Sequence, residues 1–263
     1  MKCISVKLSD KLNVVELLPL ADIHLGDPHC DMALLKEHIE YVKEHGNCYV
    51  LLNGDLINNS TKTSVGDVYS ERMSPMEQLK MAVNLFSPIK EKILAITNGN
   101  HEARTWRMDG IDLMEIFARE LGLENRYANE SALIFLQFGN NTARAKNERG
   151  HYYQFTIYMT HGSGGGRKEG AKAIRLADMS SIVDADIYIH SHTHLPMVIK
   201  EAFFRTDFTK KNVQKVDKLF VNTSSMLNYG GYGEAFEFKP SSKETPKIVL
   251  TAKNRNKYMK AHI

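Results

Sequence analysis

The chain has 263 residues, with hydrophobic residues at 43% and charged residues at 25%. That composition suits a folded globular domain and excludes an intrinsically disordered chain. The net charge of +3 is too small to imply a polyanionic partner by itself. No apolar run reaches the ~18–20 residues that span a bilayer, and Met1–Asp10 lacks the apolar stretch of a secretory signal. Cys3, Cys30 and Cys48 are an odd number with no metal-binding spacing, so the expected setting is a reducing cytoplasm without disulfides.

The predicted elements alternate through the first 200 residues. Apolar, strand-like runs lie at Val14–Leu20, Tyr49–Leu52, Ile93–Thr97, Leu133–Phe138, Phe155–Thr160 and Ile187–His190. Helical spacing relates Leu34, Leu35, Ile39 and Val42, then Met76, Leu79, Val83 and Phe86, then Leu113, Ile116, Phe117 and Leu121, with Gly122 as a C-cap. This alternation predicts a sheet, at least partly parallel, covered by helices. Gly139, Asn140 and Asn141 predict a surface hairpin loop before His151. After Leu195 the pattern is strand only, at Val198–Phe204, Leu219–Asn222, Ala235–Lys239 and Ile248–Thr251, and predicts a mainly antiparallel second sheet. The expected fold is α/β, a four-layer α-β-β-α sandwich with two mixed sheets face to face and helices outside. No linker divides it, so residues 1–263 read as a single domain with a basic C-terminal segment from about 239 to 263. Lys200–Ile263 holds 13 Lys and Arg against 6 Asp and Glu. That balance fits either a polyanion-facing surface or a lysine-rich sheet edge.

The residues just past each strand carry the chemistry. Val14–Leu20 leads to Asp22-Ile23-His24, Tyr49–Leu52 to Asn53-Gly54-Asp55, and Ile93–Thr97 to Asn98-Gly99-Asn100-His101-Glu102. Phe155–Thr160 leads to His161-Gly162, and Ile187–His190 to Ser191-His192-Thr193-His194. Ligands of open α/β sheets collect at the carboxyl ends of strands, so these residues are expected in one cleft. Imidazole and carboxylate donors without thiolate suit Mn, Fe, Zn, Co or Ni. Seven candidate donors are too many for one ion and fit two that share a carboxylate, the arrangement that phosphoester hydrolysis uses.

These five blocks, in this order and over roughly residues 14–228, resemble those of the calcineurin-like metallophosphoesterase superfamily. The resemblance implies that Asp22, His24 and His194 hold one metal, that Asn100, His161 and His192 hold the second, and that Asp55 bridges them. It implies two divalent cations, manganese first among them, a hydroxide between them as nucleophile, and His101 as the group that contacts the phosphate and protonates the leaving oxygen. Ser191 departs from the glycine usual before the last His pair, a change of small cost if its φ is negative.

Several neighbours carry two readings. Glu102 either orients His101 or caps a helix. Asn58 either hydrogen-bonds a ligand or caps a turn, and Asn222-Thr223-Ser224-Ser225 reads as structural. His190 reads as a packed core residue, and His29, His38, His45, His151 and His262 as surface residues. Arg104 and Arg167 are the candidate substrate contacts. Trp106, between Arg104 and Arg107, either stacks a base or packs under a loop, the second being the expectation, and the glycines of 162–166 either approach an anion or only connect strand to helix. The expected activity is a two-metal phosphodiesterase or nuclease acting on a nucleotide, DNA or RNA. The alternatives are a small-molecule phosphomonoesterase and a non-catalytic, metal-bound interaction subunit. No membrane partner is expected, and the sequence leaves a homodimer open.

Overall fold

The structure is a computed structural model that describes residues 1–62, 64, 68–139, 152–164, 166–209, 211–253 and 256–263. In chain order the elements are β1 (Lys2–Lys7), β2 (Val14–Leu20), α1 (Met32–Glu44), β3 (Cys48–Asn53), α2 (Pro75–Phe86), β4 (Ile93–Thr97), α3 (Ala103–Asp109), α4 (Leu113–Leu121) and β5 (Tyr127–Ala128). They continue with β6 (Ser131–Phe138), β7 (Tyr153–Thr160), α5 (Glu169–Asp178), β8 (Ile187–His190), β9 (Met197–Asp207), β10 (Asn212–Asn222), α6 (Gly231–Ala235), β11 (Lys247–Lys253) and β12 (Asn256–His262). The loop expected between Phe138 and His151 falls almost wholly outside the described residues, as does His151 itself.

Two six-stranded sheets form, in the orders β12-β11-β2-β3-β4-β5 and β1-β6-β7-β8-β10-β9. Both are mixed. In the first, β2, β3, β4 and β5 are parallel and β11 runs antiparallel to β2; in the second, β7, β8 and β10 are parallel, with antiparallel pairs β6–β7 and β9–β10. The C-terminal strands therefore do not build a separate antiparallel sheet. β9 and β10 extend one sheet, and β11 and β12 return to complete the other. Pro19 sits in β2 beyond Leu17, the last residue of the β2–β11 pairing that begins at Val14, so its missing N–H leaves that pairing intact. The strand expected at Ala235–Lys239 is absent: Ala235 ends α6, and Glu237 and Phe238 N–H turn back to Glu234 and Gly233 O instead of pairing with a sheet.

Apolar packing defines four layers. Between the sheets lie Val15, Leu17, Leu51 and Leu250 from one side and Ile4, Phe138, Phe155, Ile157 and Val221 from the other. Outside the first sheet, Leu35 and Ile39 of α1, Leu79 and Phe86 of α2 and Phe117 of α4 pack on Leu20, Val50, Leu52 and Ile96. Outside the second, Leu176 and Met179 pack on Tyr158, Tyr188 and Phe220. The helices begin where the sequence chemistry places them. Ser74 and Glu77 form a capping box with Pro75 in the first turn of α2. Asp112 caps α4, and Gly122, at φ 72°, ends it.

The basic C-terminal segment finds its countercharges inside the molecule. Lys239 pairs with Glu169 at 2.8 Å, Lys257 with Asp186 at 2.7 Å, Lys247 with Glu16 at 3.5 Å, and Lys243 with Asp31. These lysines join the last quarter of the chain to acidic positions of the first 199 residues, so the charge asymmetry does not by itself mark a polyanion surface. No helix among the described residues is long and apolar enough to cross a membrane. Phe117 is fully buried and meets Phe86 edge-on, their ring centres 6.0 Å apart. Phe117→Ala is expected to lower unfolding stability by about 3–5 kcal/mol, read from denaturant unfolding followed by circular dichroism.

Candidate metal centre

Register sets the site. Leu20 pairs with Leu52, and Asn53 with Thr97, so the loops carrying Asp22, Asp55 and Asn100 leave the first sheet at one level. Met159 pairs with Ile189, which brings His161 and the His192–His194 loop out together from the second. Contacts between the sheets then join the loops. His161 Nε2 lies 3.2 Å from Asp55 Oδ2 and 3.1 Å from Asn100 Oδ1, and His192 Nδ1 lies 2.7 Å from the same Asn100 oxygen. His194 Nε2 lies 3.2 Å from Asp22 Oδ1. Donor atoms within 4.8 Å of one another form three groups: Asp22, His24 and His194; Asp55, His161 and His192; and His24, Asp55 and His101. All seven expected ligands and His101 thus meet in one place.

The backbone there is unusual. Asp22, His24, Asp55, His192 and His194 have φ of 50°, 54°, 51°, 66° and 54°. Left-handed backbone at a residue with a side chain costs of order 1–3 kcal/mol and persists only where the surroundings enforce it. Here they do. Asp22 N–H donates to Gly54 O at 3.2 Å, Ile23 and His24 N–H to Asp55 O at 2.8 and 3.1 Å, and His192 N–H to Asp22 Oδ2 at 3.0 Å. Ser191 is not among the residues with positive φ, so it fills the glycine position without strain. Gly99 is fixed by space: a Cβ there would lie 2.2 Å from Asp55 N and from Asp55 Oδ1.

Glu102 departs from both of its expected roles. It makes no cap hydrogen bond to α3, and the hydrogen bonds of the His101 ring go to Asn58 O and Arg104 instead. Its Oε1 accepts from Leu56 and Ile57 N–H at 2.6 and 3.1 Å, and its Oε2 from Asp55 and Gly99 N–H at 3.0 and 3.1 Å. It is therefore the anchor of the Asp55 loop. Burial and the neighbouring Asp55 charge push its carboxyl up to about 7, against the pull of the backbone donors. Asn53 is a second anchor, missed in the sequence although it directly precedes Gly54-Asp55. Its side chain donates to Thr160 O and Ser191 Oγ at 2.8 and 2.7 Å and accepts from Thr97 Oγ1 at 2.7 Å, and its carbonyl accepts from His161 Nδ1 at 2.7 Å. That last bond turns His161 Nε2 toward the centre. Asn58 does the same for His24, its Oδ1 accepting from Nδ1 at 3.2 Å. Asn59, also at positive φ, donates to His101 O at 2.7 Å.

The electrostatics fit cations. Asp22 and Asp55 are 0% and 1% exposed, so two carboxylates are buried side by side and require compensating positive charge. Burial opposes their ionisation. His194 and His161 outweigh it at Asp22, and His161 and His101 at Asp55, so both carboxyls stay below the usual range. At His161 burial is in turn outweighed by Asp55 and Asp22, which raise it to about 10. His192 falls to about 4 through burial and the His161 charge, and burial with His101 holds His24 well below its usual value. Neutral imidazoles are ready donors to a metal. His24 Nε2 is buried without a hydrogen bond, and Asp22 Oδ1 meets only imidazole nitrogen, His194 Nε2 at 3.2 Å, as suits atoms that face an ion.

The remaining candidates divide. Arg104 lies at the centre, its guanidinium donating to Asn58 O at 3.1 Å and to His101 Nε2 at 2.9 Å. Arg167 lies on a rim, over the Phe238 ring at 5.3 Å. Trp106 is 52% exposed and does not pack under a loop. His190 is buried and held by Asn222 at 2.9 Å, as a core residue. His262 is exposed, whereas His29, His38 and His45 are half-buried and hydrogen-bonded to Asp27, Thr245 and the Tyr41 carbonyl. Asn222 and Ser225 brace the loops through Thr193 and the Asp22 carbonyl.

A two-sheet sandwich with His and Asp donors gathered at the carboxyl ends of its strands defines a metallophosphoesterase-type centre. The sequence matches the calcineurin-like phosphoesterase family over residues 23–196, and the chain belongs to that family. No curated protein matches the chain. Similar solved structures include a predicted phosphoesterase from Streptococcus pneumoniae TIGR4, 14% identical with TM-score 0.37, covering 95% of this chain and 90% of that one. Vacuolar Protein Sorting 29 from Cryptosporidium parvum is 14% identical with TM-score 0.40, covering 95% and 97%. A metallophosphoesterase from Sphaerobacter thermophilus is 12% identical with TM-score 0.39, covering 95% and 89%.

Glu102→Gln removes acceptors from two of the four backbone N–H groups that the carboxylate now holds. Affinity for Mn2+ is expected to fall about 10–100-fold, measured by titration calorimetry. Affinity equal to the parent's would refute the anchoring role.

Proposed function

We propose that the chain is a two-metal phosphoester hydrolase acting on a phosphodiester of a nucleotide or nucleic acid. The observation that carries this reading is the sharing of Asp55 between two donor groups, with Asp22, His24 and His194 forming a third beside them. It supports Asp22, His24 and His194 for one cation, Asn100, His161 and His192 for the other, and Asp55 in common. Manganese is the metal proposed, with iron, zinc, cobalt and nickel as alternatives of the same donor preference. When bound, such a pair neutralises charge on the phosphoryl oxygens and acidifies a water at neutral pH.

The chain's own residues supply the rest. An arginine is always a donor, so His101 Nε2 accepts from Arg104, and Nδ1 carries the ring proton donated to Asn58 O at 2.6 Å. Burial, reinforced by Arg104, holds His101 below its usual pKa even beside Asp55. A phosphate entering the cleft takes over the Arg104 donors. That frees Nε2 to take up a proton from solvent and pass it to the departing oxygen, which otherwise leaves as a poor alkoxide. Arg104 thus both masks the acid and meets the substrate. Arg104 at the centre and Arg167, six residues after His161, supply the cationic contacts on which the phosphodiester reading draws. A cytoplasmic setting fits the three free thiols, of which Cys3 is exposed.

With Mn2+, bis(p-nitrophenyl) phosphate is expected to turn over faster than p-nitrophenyl phosphate, and EDTA to abolish both activities. Turnover of the monoester alone would replace the diester reading with a phosphomonoesterase. Metal binding without any turnover would leave an interaction subunit. His101→Ala is expected to slow a diester with an alkoxide leaving group about 10²–10⁴-fold and one with p-nitrophenolate much less. Equal losses on the two would remove His101 from the acid role.

A further inference from the structure

Between β10 and β11 the chain leaves the sandwich. It starts at the metal centre: Ser225 Oγ and Met226 N–H both donate to the Asp22 carbonyl at 3.0 Å, and Asn228 N–H donates to His29 O at 2.9 Å. Two ion pairs then fix its course. Lys243 binds Asp31, the residue that caps α1, and Lys239 binds Glu169, the first residue of α5, at 2.8 Å. α1 packs outside one sheet and α5 outside the other, and both begin at the strands' carboxyl ends. A segment tied to both beginnings spans the end of the sandwich where the ligands converge.

Strand order says which side it takes. The ligand loops follow β2, β3 and β4 in one sheet and β7 and β8 in the other. β10 and β11 flank this set on one side, and β4 carries the farthest loop on the other. Arg104 follows β4, and the spanning segment follows β10. Opposite Arg104, therefore, stands a rim of different chemistry. Tyr229, Phe236 and Phe238 are 51%, 43% and 36% exposed. Phe238 N–H donates to Gly233 O at 2.9 Å, which folds the segment back behind the ring, and Arg167, six residues after His161, covers the ring at 5.3 Å. Exposed rings on the segment that leaves the Asp22 carbonyl suit a flat aromatic group, and a guanidinium over one adds charge suited to a phosphate.

We infer that the Arg167–Phe238 pair is the platform on which the base of a nucleotide phosphodiester stacks while its phosphate lies at the metal centre. The inference rests on the phosphodiesterase reading and adds to it what distinguishes one diester from another. A simple alkyl diester lacks the group that this rim holds. A nucleotide diester has it, one sugar away from the phosphate.

Two esters with the same leaving group test it: thymidine 5′-(p-nitrophenyl phosphate) and methyl p-nitrophenyl phosphate, assayed with the Mn2+-loaded protein. The wild-type chain is expected to prefer the thymidine ester in kcat/KM. Phe238→Ala is expected to lower that preference about 10-fold, within the range of base–aromatic stacking, through KM rather than kcat. Phe238→Trp is expected to keep it. An unchanged preference in Phe238→Ala overturns the platform and leaves the phosphodiesterase reading standing. Failure of the wild-type protein to hydrolyse either ester refutes that reading, and the platform falls with it.

Discussion

Two carboxylates buried against each other at the junction of two apolar sheets govern this molecule. Asp22 and Asp55 have almost no contact with water, and the sandwich behind them is made of leucine, isoleucine, valine and phenylalanine. Such a pair is tolerable only if positive charge is supplied at close range. Five imidazoles stand ready on the surrounding loops, and one buried ring nitrogen of the cluster, His24 Nε2, has no hydrogen-bond partner. Every neighbouring feature can be read as a way of holding that charge arrangement still: the shared Asn100 oxygen, the Asn53 and Asn58 side chains that aim imidazoles, and the glycine at 99.

Holding it still is costly in backbone terms. Five of the proposed ligand residues adopt a conformation that most amino acids avoid, and they do so on loops that would otherwise relax. The compensation comes from the hydrogen-bonded frame beneath. Glu102 gathers three N–H groups of the loop that carries Asp55 and that of Gly99, and Asn53 links β3 to β7 and to the β8 loop. Neither residue contacts a substrate. Both set the distances on which the chemistry depends, and they explain how residues drawn from positions 22 to 194 keep donor atoms within a few ångströms.

Much of this was legible in the sequence. Apolar runs of strand length located β2, β3, β4, β7 and β8 nearly to the residue, because parallel strands buried on both faces read as uninterrupted apolar segments. The residues that converge at the candidate centre were legible because each run ends in the same chemistry. The short edge elements β1, β5 and β12 were not, since they are half-exposed or brief and their pattern is weak. The Ala235–Lys239 segment alternates like a strand, but pairing depends on a free edge, which local sequence does not reveal. The Glu102 role was hidden for a related reason: its partners are backbone N–H groups of residues 55–57, and a main chain leaves no signature in the residue types. The pairing of the C-terminal lysines was not legible, because their acidic partners lie far back along the chain, in the first 199 residues.

The position of β11 has a consequence for assembly. Translation has delivered every proposed ligand by residue 194, yet β2, whose end bears Asp22 and His24, keeps one open edge until residues 248–251 arrive to pair with it. The segment that braces the Asp22 carbonyl is itself made only at 225–226. A growing chain thus owns the donors before it can clamp them in place, so firm ion binding at the proposed centre awaits the strand at residues 248–251 rather than following directly on residue 194.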